Sequence, residues 1–149
     1  MLLSVDNATN YELGAEFLAK LEEIYCFILD DLGISKKSVE FLLVENEKIK
    51  ALNAEFRGVD KATDVLSFPL ELEFSPFLGS VVISLDFARE ISVNLKHSLE
   101  SEIALLFVHG VLHLAGFDHE CDDGEHREKE RQIVEKFNLP HSLIIRTQG

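Results

Sequence analysis

Between Phe107 and Glu120 the chain reads FVHGVLHLAGFDHE, which sets three histidines, His109, His113 and His119, within eleven residues of otherwise apolar sequence. On a helix, residues four apart stack on one face, so His109 and His113 would present two imidazoles side by side. Gly116 follows, and glycine readily takes the left-handed conformation that ends a helix and reverses the chain. Such a turn can return His119 to the same point in space. Three neutral imidazoles converging on one point make a zinc-type site, with a fourth position open to water. A lone histidine on an apolar face is ordinarily a satisfied core residue. Three at this spacing, with a glycine at the pivot, point instead to one zinc ion per chain, held by His109, His113 and His119.

The spacing H-x-x-x-H-x-x-G-x-x-H is also the ligand spacing of the metzincin proteases. Those enzymes carry a glutamate after the first histidine as general base, and a methionine turn beneath the metal. Here Gly110 stands in the glutamate's place, and Met1 is the only methionine. The zinc geometry is therefore expected without the peptidase machinery. Cys121, two residues after His119, offers a fourth ligand that nothing else in the sequence supports. His97, His126 and His141 lack a partner at ligand spacing and read as surface residues.

The elements that must hold these groups can be read from periodicity. LLSV near the start reads as a strand, and TNYE as a capping box of Thr9 with Glu12. Leu13, Phe17, Leu21, Ile24, Ile28 and Leu32 then recur at helical spacing up to a stop at Gly33. VEFLLVEN reads as a strand, EKIKALNAEFRG as a helix closed by Gly58, and DVLSFP as a strand ended or edged by Pro69. GSVVISLDF is a further strand, and AREISVNLKHS a short mixed helix. LESEIALLFVHGVLHLAG is apolar widely enough to be a buried helix. DDGEHREKERQIVEKFN is a charged amphipathic helix with Ile133, Val134 and Phe137 inward. The expected fold class is α+β: a small mixed sheet of about four strands with four to five helices, and the metal site at the end of a core helix.

The chain has 149 residues, 46% of them apolar and 28% charged, which suits one globular domain spanning residues 1–149. Its net charge of −13 counts against a broad nucleic-acid-binding surface. Cys26 and Cys121 are far apart and form no C-x-x-C pair. Cys26 reads as a small buried hydrophobe, and two free thiols fit a reducing compartment. No basic segment precedes an apolar run at the start, and no stretch approaches the ~18 apolar residues of a membrane span. The expectation is a cytoplasmic protein without membrane contact.

HGVLHLAGFDH resembles the H-G-x-L-H-L-x-G-[YF]-D-H signature of the YbeY family, the bacterial endoribonucleases and rRNA maturation factors. LNAEFRGVDKATDVLSFP, Leu52 to Pro69, is similar to a second block of that family, and LGSVVIS to its L-G-D-I-x-I-S strand. The resemblance runs from about residue 40 to 135. It implies a zinc-dependent endoribonuclease that cuts single-stranded RNA, serving 16S rRNA 3′-end maturation and ribosome quality control. It also implies His109, His113 and His119 as metal ligands. Arg57 falls at the family's functionally important arginine, so Arg57 and His109 are the expected catalytic residues. The implied partners are 16S rRNA and the small ribosomal subunit or its proteins, with no DNA. Three positions depart from the family pattern. Ser80 replaces the aspartate of L-G-D-I, Ala62 replaces a proline, and the helix after His119 lacks a methionine.

Zinc lowers the pKa of a bound water to about 7, which would excuse the missing glutamate at Gly110. Alternatively the metal polarises a phosphate oxygen while the 2′-hydroxyl attacks, and the sequence leaves both routes open. Arg57 suits a phosphate, because a guanidinium gives two parallel hydrogen bonds and stays charged. Lys48, Lys50 and Lys61 lie near it and offer either a basic rim or a solvated face. Asp118 reads as a carboxylate that accepts the ring N–H of a ligand histidine, or as a turn cap. Asp64 and Ser67 read as structural polar groups. The acidic charge suggests that affinity comes from a ribosomal or protein partner as much as from RNA. Two other classes stay open: a non-catalytic zinc-stabilised ribosome assembly factor, and a metal-dependent hydrolase of another substrate.

Overall fold

The computed structural model describes residues 2–70, 75–117 and 122–139. Two apolar strands, β2 (Ser38–Val44) and β4 (Phe77–Ser84), run parallel at the centre of a four-stranded sheet, with Phe41 opposite Val81. β1 (Leu3–Asn7) lies parallel to β2 on one edge. β3 (Val65–Pro69) lies antiparallel to β4 on the other edge, where Pro69 ends it without costing an interior hydrogen bond. Side chains alternate between the faces of a strand. Val39, Phe41, Leu43, Val81 and Ile83 accordingly enter a large core, whereas Val44, Leu66 and Val82 enter a smaller one.

The large core lies under α1 (Ala15–Leu32) and α4 (Leu99–Leu114), and the small one under Ile49 of α2 (Asn46–Arg57). α3 (Leu85–Leu95) and α5 (Glu125–Phe137) complete, among the described residues, a mixed sheet with five helices, the expected α+β class. Gly33 and Gly58 both take left-handed φ angles, 67° and 70°, at the predicted helix stops.

Two local expectations fail. The Thr9–Glu12 capping box is not formed, because α1 begins at Ala15 after Gly14. Thr9 instead donates its hydroxyl to Asn7 Oδ1 at 2.6 Å, and its Oγ accepts the Tyr11 N–H, a turn that competes with helix. α3 begins at Leu85, three residues ahead of AREISVNLKHS. Ser84 ends β4 and caps α3 at once, accepting the Phe87 N–H at 3.2 Å and donating to Asn46 Oδ1 at 2.7 Å. With no turn residue between strand and helix, periodicity alone misplaces that boundary.

α4 is buried on nearly every side, from Glu102 to Leu112. Its one fully buried carboxylate, Glu102, meets His97 Nε2 at 2.7 Å. His97 is thus the hydrogen-bond partner of a core carboxylate, not the surface residue expected, since a buried polar group requires a partner. Cys26 is only half-buried, and its thiol pKa is raised by burial and then by Glu22 and Asp30. No described helix is long and apolar enough to cross a membrane.

Gly110 sets how closely α4 approaches the sheet. A Cβ there would lie 2.7 Å from Val81 Cγ1 and 3.1 Å from Ser67 Oγ. Helix propensity favours Gly110→Ala by about 1 kcal/mol. Overpacking against a stiff β-branched neighbour opposes it by about 1–3 kcal/mol. The variant should therefore be net destabilised, by about 1 kcal/mol, in urea denaturation. An unchanged or higher midpoint would show that the α4–sheet contact yields freely.

Candidate metal centre

His109 and His113 lie on one face of α4, as their spacing requires, with ring centroids 5.1 Å apart. His109 is buried, and His113 is half-buried in the last turn. The helix then closes as expected. Gly116 takes φ 103°, its N–H bonds the His113 carbonyl, and the Phe117 N–H bonds the Leu112 carbonyl, both at 3.0 Å. The turn sets Phe117 against His126, 6.0 Å between centroids. His119, Asp118, Cys121 and His141 lie outside the described residues.

α5 supplies two groups that the sequence reading missed. His126 and Glu130 are fully buried, so His126 is not a surface residue. The His126 ring stacks on His109 at 4.8 Å and 20°, and stands edge-on to His113 at 5.0 Å and 84°. Glu130 Oε2 lies 3.1 Å from His109 Nδ1 and 3.6 Å from His126 Nε2. Ligand atoms of His109, His126 and Glu130 all fall within 4.8 Å of one another. A signal for both was present. Positions 126, 130, 133, 134 and 137 form one helical stripe, and counting only its apolar members stopped it short.

Zinc takes imidazole donors, and a buried carboxylate beside them serves either as a further donor or by holding the second nitrogen of a ligand ring, so the residues present fit a divalent zinc-type ion. Gly110 points about 100° around the helix from His109, into the sheet, so a side chain there would not face the cluster. The missing glutamate is therefore a packing requirement of this fold.

The family model for Endoribonuclease YbeY matches residues 4–138, from β1 through the end of α5. The chain belongs to the YbeY family. Endoribonuclease YbeY of Nautilia profundicola is 48% identical to it over 147 residues, 99% of each chain. Endoribonuclease YbeY of Campylobacter jejuni subsp. jejuni is 51% identical over 132 residues, 87% of this chain and 98% of that one. A Thermotoga maritima protein with a solution structure superposes with a TM-score of 0.63 at 33% identity, covering 91% of this chain and 88% of that one.

The second YbeY block, Leu52 to Pro69, runs from α2 into β3. Arg57 is exposed in the last turn of α2, the helix on the sheet face away from α4. Among the described residues no hydrogen bond or ion pair joins it to the histidines. Lys48, Lys50 and Lys61 are exposed as well. Asp64 Oδ1 accepts the Val65 N–H at 2.8 Å, and the Ser67 hydroxyl donates to the Gly110 carbonyl at 3.2 Å, tying β3 to α4 between the two histidines. Both have the structural roles expected. Ser80, which departs from the YbeY motif, bonds Glu40 Oε1 at 3.1 Å on the α2 side of the sheet, away from the cluster.

Proposed function

We propose that this protein is a zinc-dependent, single-strand-specific endoribonuclease that acts in 16S rRNA 3′-end maturation and ribosome quality control in the cytoplasm. The observation that carries the reading is the buried meeting of α4 and α5 histidines with a carboxylate, in a chain whose relatives are endoribonucleases. His109, His113 and His119 would hold the ion, and His109 with Arg57 would carry catalysis. When bound, zinc supplies Lewis-acid polarisation of a phosphate oxygen and a lowered water pKa. The chain's own residues bind and orient. The imidazoles would hold the ion towards the C-terminal end of the buried helix α4. The Arg57 guanidinium grips a phosphate by two parallel hydrogen bonds once RNA crosses the sheet edge. The small ribosomal subunit or one of its proteins supplies the affinity that a chain of net charge −13 lacks for naked RNA.

Gly110 keeps one other reading in play, a zinc-stabilised assembly factor without turnover, since no glutamate follows His109 on α4 and Glu130 is buried against the His109 ring. Cleavage of a labelled single-stranded RNA separates the two. The protein would be assayed with its metal, after chelation, and after refilling with zinc. Activity should vanish on chelation and return with zinc. Arg57→Ala should lower kcat/KM about 100-fold, roughly the loss of one strong charge-assisted contact to phosphate. Its zinc content and fold should be unchanged. A metal-loaded wild type that cuts no RNA would favour the assembly factor.

A further inference from the structure

We propose that Glu130 is a positioning residue of the metal centre: its carboxylate accepts the Nδ1–H of His109 and so directs His109 Nε2 at the ion. This rests on the zinc reading above. The two nitrogens of a neutral imidazole divide their roles. One carries the proton and donates, and the other keeps its lone pair for a metal. Glu130 Oε2 lies 3.1 Å from His109 Nδ1, and both side chains are buried. A carboxylate there assigns the proton to Nδ1. The ring nitrogens point away from each other, so an ion on Nε2 sits on the far side of the ring from Glu130. An ion on Nδ1 would have to displace the hydrogen bond.

The carboxylate is not free to swing. Glu130 lies one turn before Ile133 and Val134, which are sunk in the core. Lys129 of the same helix is paired with Asp31 of α1 at 2.5 Å. Phe137 stands edge-on to Phe27 at 5.6 Å. The His126 ring, stacked on His109, closes the side of the ring that would otherwise let it turn. The docking of α5 on α1 and α4 therefore sets the direction of a donor atom on α4. Carboxylates that hold the second nitrogen of a ligand histidine typically contribute about 10–100-fold in metal affinity.

The test compares wild type with Glu130→Gln, a substitution that keeps the shape and removes the charge. Zinc affinity would be measured by competition with a chromogenic chelator, and coordination number by the visible spectrum of the cobalt(II) forms. Glu130→Gln should bind zinc about 10–100-fold more weakly while its cobalt(II) bands keep their position and intensity. Long-range proton–nitrogen NMR of metal-free wild type, at a pH of about 8.5 where imidazole is neutral, should show His109 protonated at Nδ1. That measurement needs no variant to fold. The proposal is overturned by a His109 proton on Nε2 or by zinc affinity within twofold of wild type. It is overturned equally by cobalt(II) bands showing a lost ligand, which would make Glu130 a ligand itself. Failure of the wild type to bind zinc would remove the metal reading as well. A wild type that binds normally beside an unaffected variant removes this inference alone.

Discussion

Replacing His113 with alanine should abolish RNA cleavage and leave the fold standing. His113 is the better of the two α4 histidines for this experiment because it is half-buried in the last helical turn, beyond the tightly packed segment from Glu102 to Leu112. His109→Ala would be confounded. It would leave Glu130 without the ring at 3.1 Å and open a hole beside the stacked His126, so lost activity and lost stability would arrive together. On the proposed assignment of His113 as a ligand, its removal withdraws the electrostatic stabilisation that the ion would give to the transition state. A loss of about 4 kcal/mol or more corresponds to a rate reduced ~1,000-fold or further. Three readouts are needed on the same preparation: turnover on labelled single-stranded RNA, zinc content, and thermal midpoint without metal. The expected pattern is no turnover, little or no zinc, and a metal-free midpoint within a few degrees of wild type. Equal cutting by wild type and variant would assign the activity to a contaminating nuclease and remove the enzymatic reading.

The part of the site that could be read from the sequence is the part built within one helix. His109 and His113 are related by four residues of α4, and the turn at Gly116 by the conformational freedom of a single glycine. Such relations depend on local geometry, which spacing encodes. His126 and Glu130 reach the site only because α5 lies back across α4, and that docking is a tertiary fact. Their stripe was legible as a pattern of five positions, but a histidine and a glutamate on a highly charged helix look like solvated residues until a partner ring is known. The same limit applies to His97, whose partner, Glu102, sits in the first turn of the next helix and reads there as a favourable surface acid. Among the elements, strands with continuous apolar runs and helices closed by glycine were placed correctly. The misplacements were at Thr9, where a side-chain turn replaced a cap, and at Ser84, where a strand passes straight into a helix.

Among the described glycines, Gly79→Ala should be the most damaging change to alanine, although Gly79 lies in β4, outside the cluster. Its φ is 150°, a backbone conformation that side-chain-bearing residues rarely adopt. A Cβ would also stand 2.4 Å from the Phe68 carbonyl oxygen and 3.0 Å from Pro69 Cα, both backbone atoms of the paired strand β3. No rotamer change relieves a clash with backbone, so β3 must move. Strain of about 1–3 kcal/mol and overpacking of about 1–3 kcal/mol act together, and a total of about 3 kcal/mol or more is expected. For a chain of this size that lowers the thermal midpoint by roughly 6–12 °C. The third neighbour, Leu114 Cδ2 at 2.9 Å, carries the disturbance to the site. Leu114 is the last residue of α4 and follows His113 directly, so pushing it off β4 shifts the end of the helix that presents the histidines. Gly110→Ala presses on the same helix from the middle and meets only side chains, so its cost is smaller. Gly79→Ala should therefore weaken zinc binding as well as lower stability, whereas a disturbance confined to the β3 edge would lower stability alone. Chelator competition at a temperature where the variant is still folded separates these outcomes. Unaltered zinc affinity would mean that the seating of α4 on the sheet does not govern the metal centre.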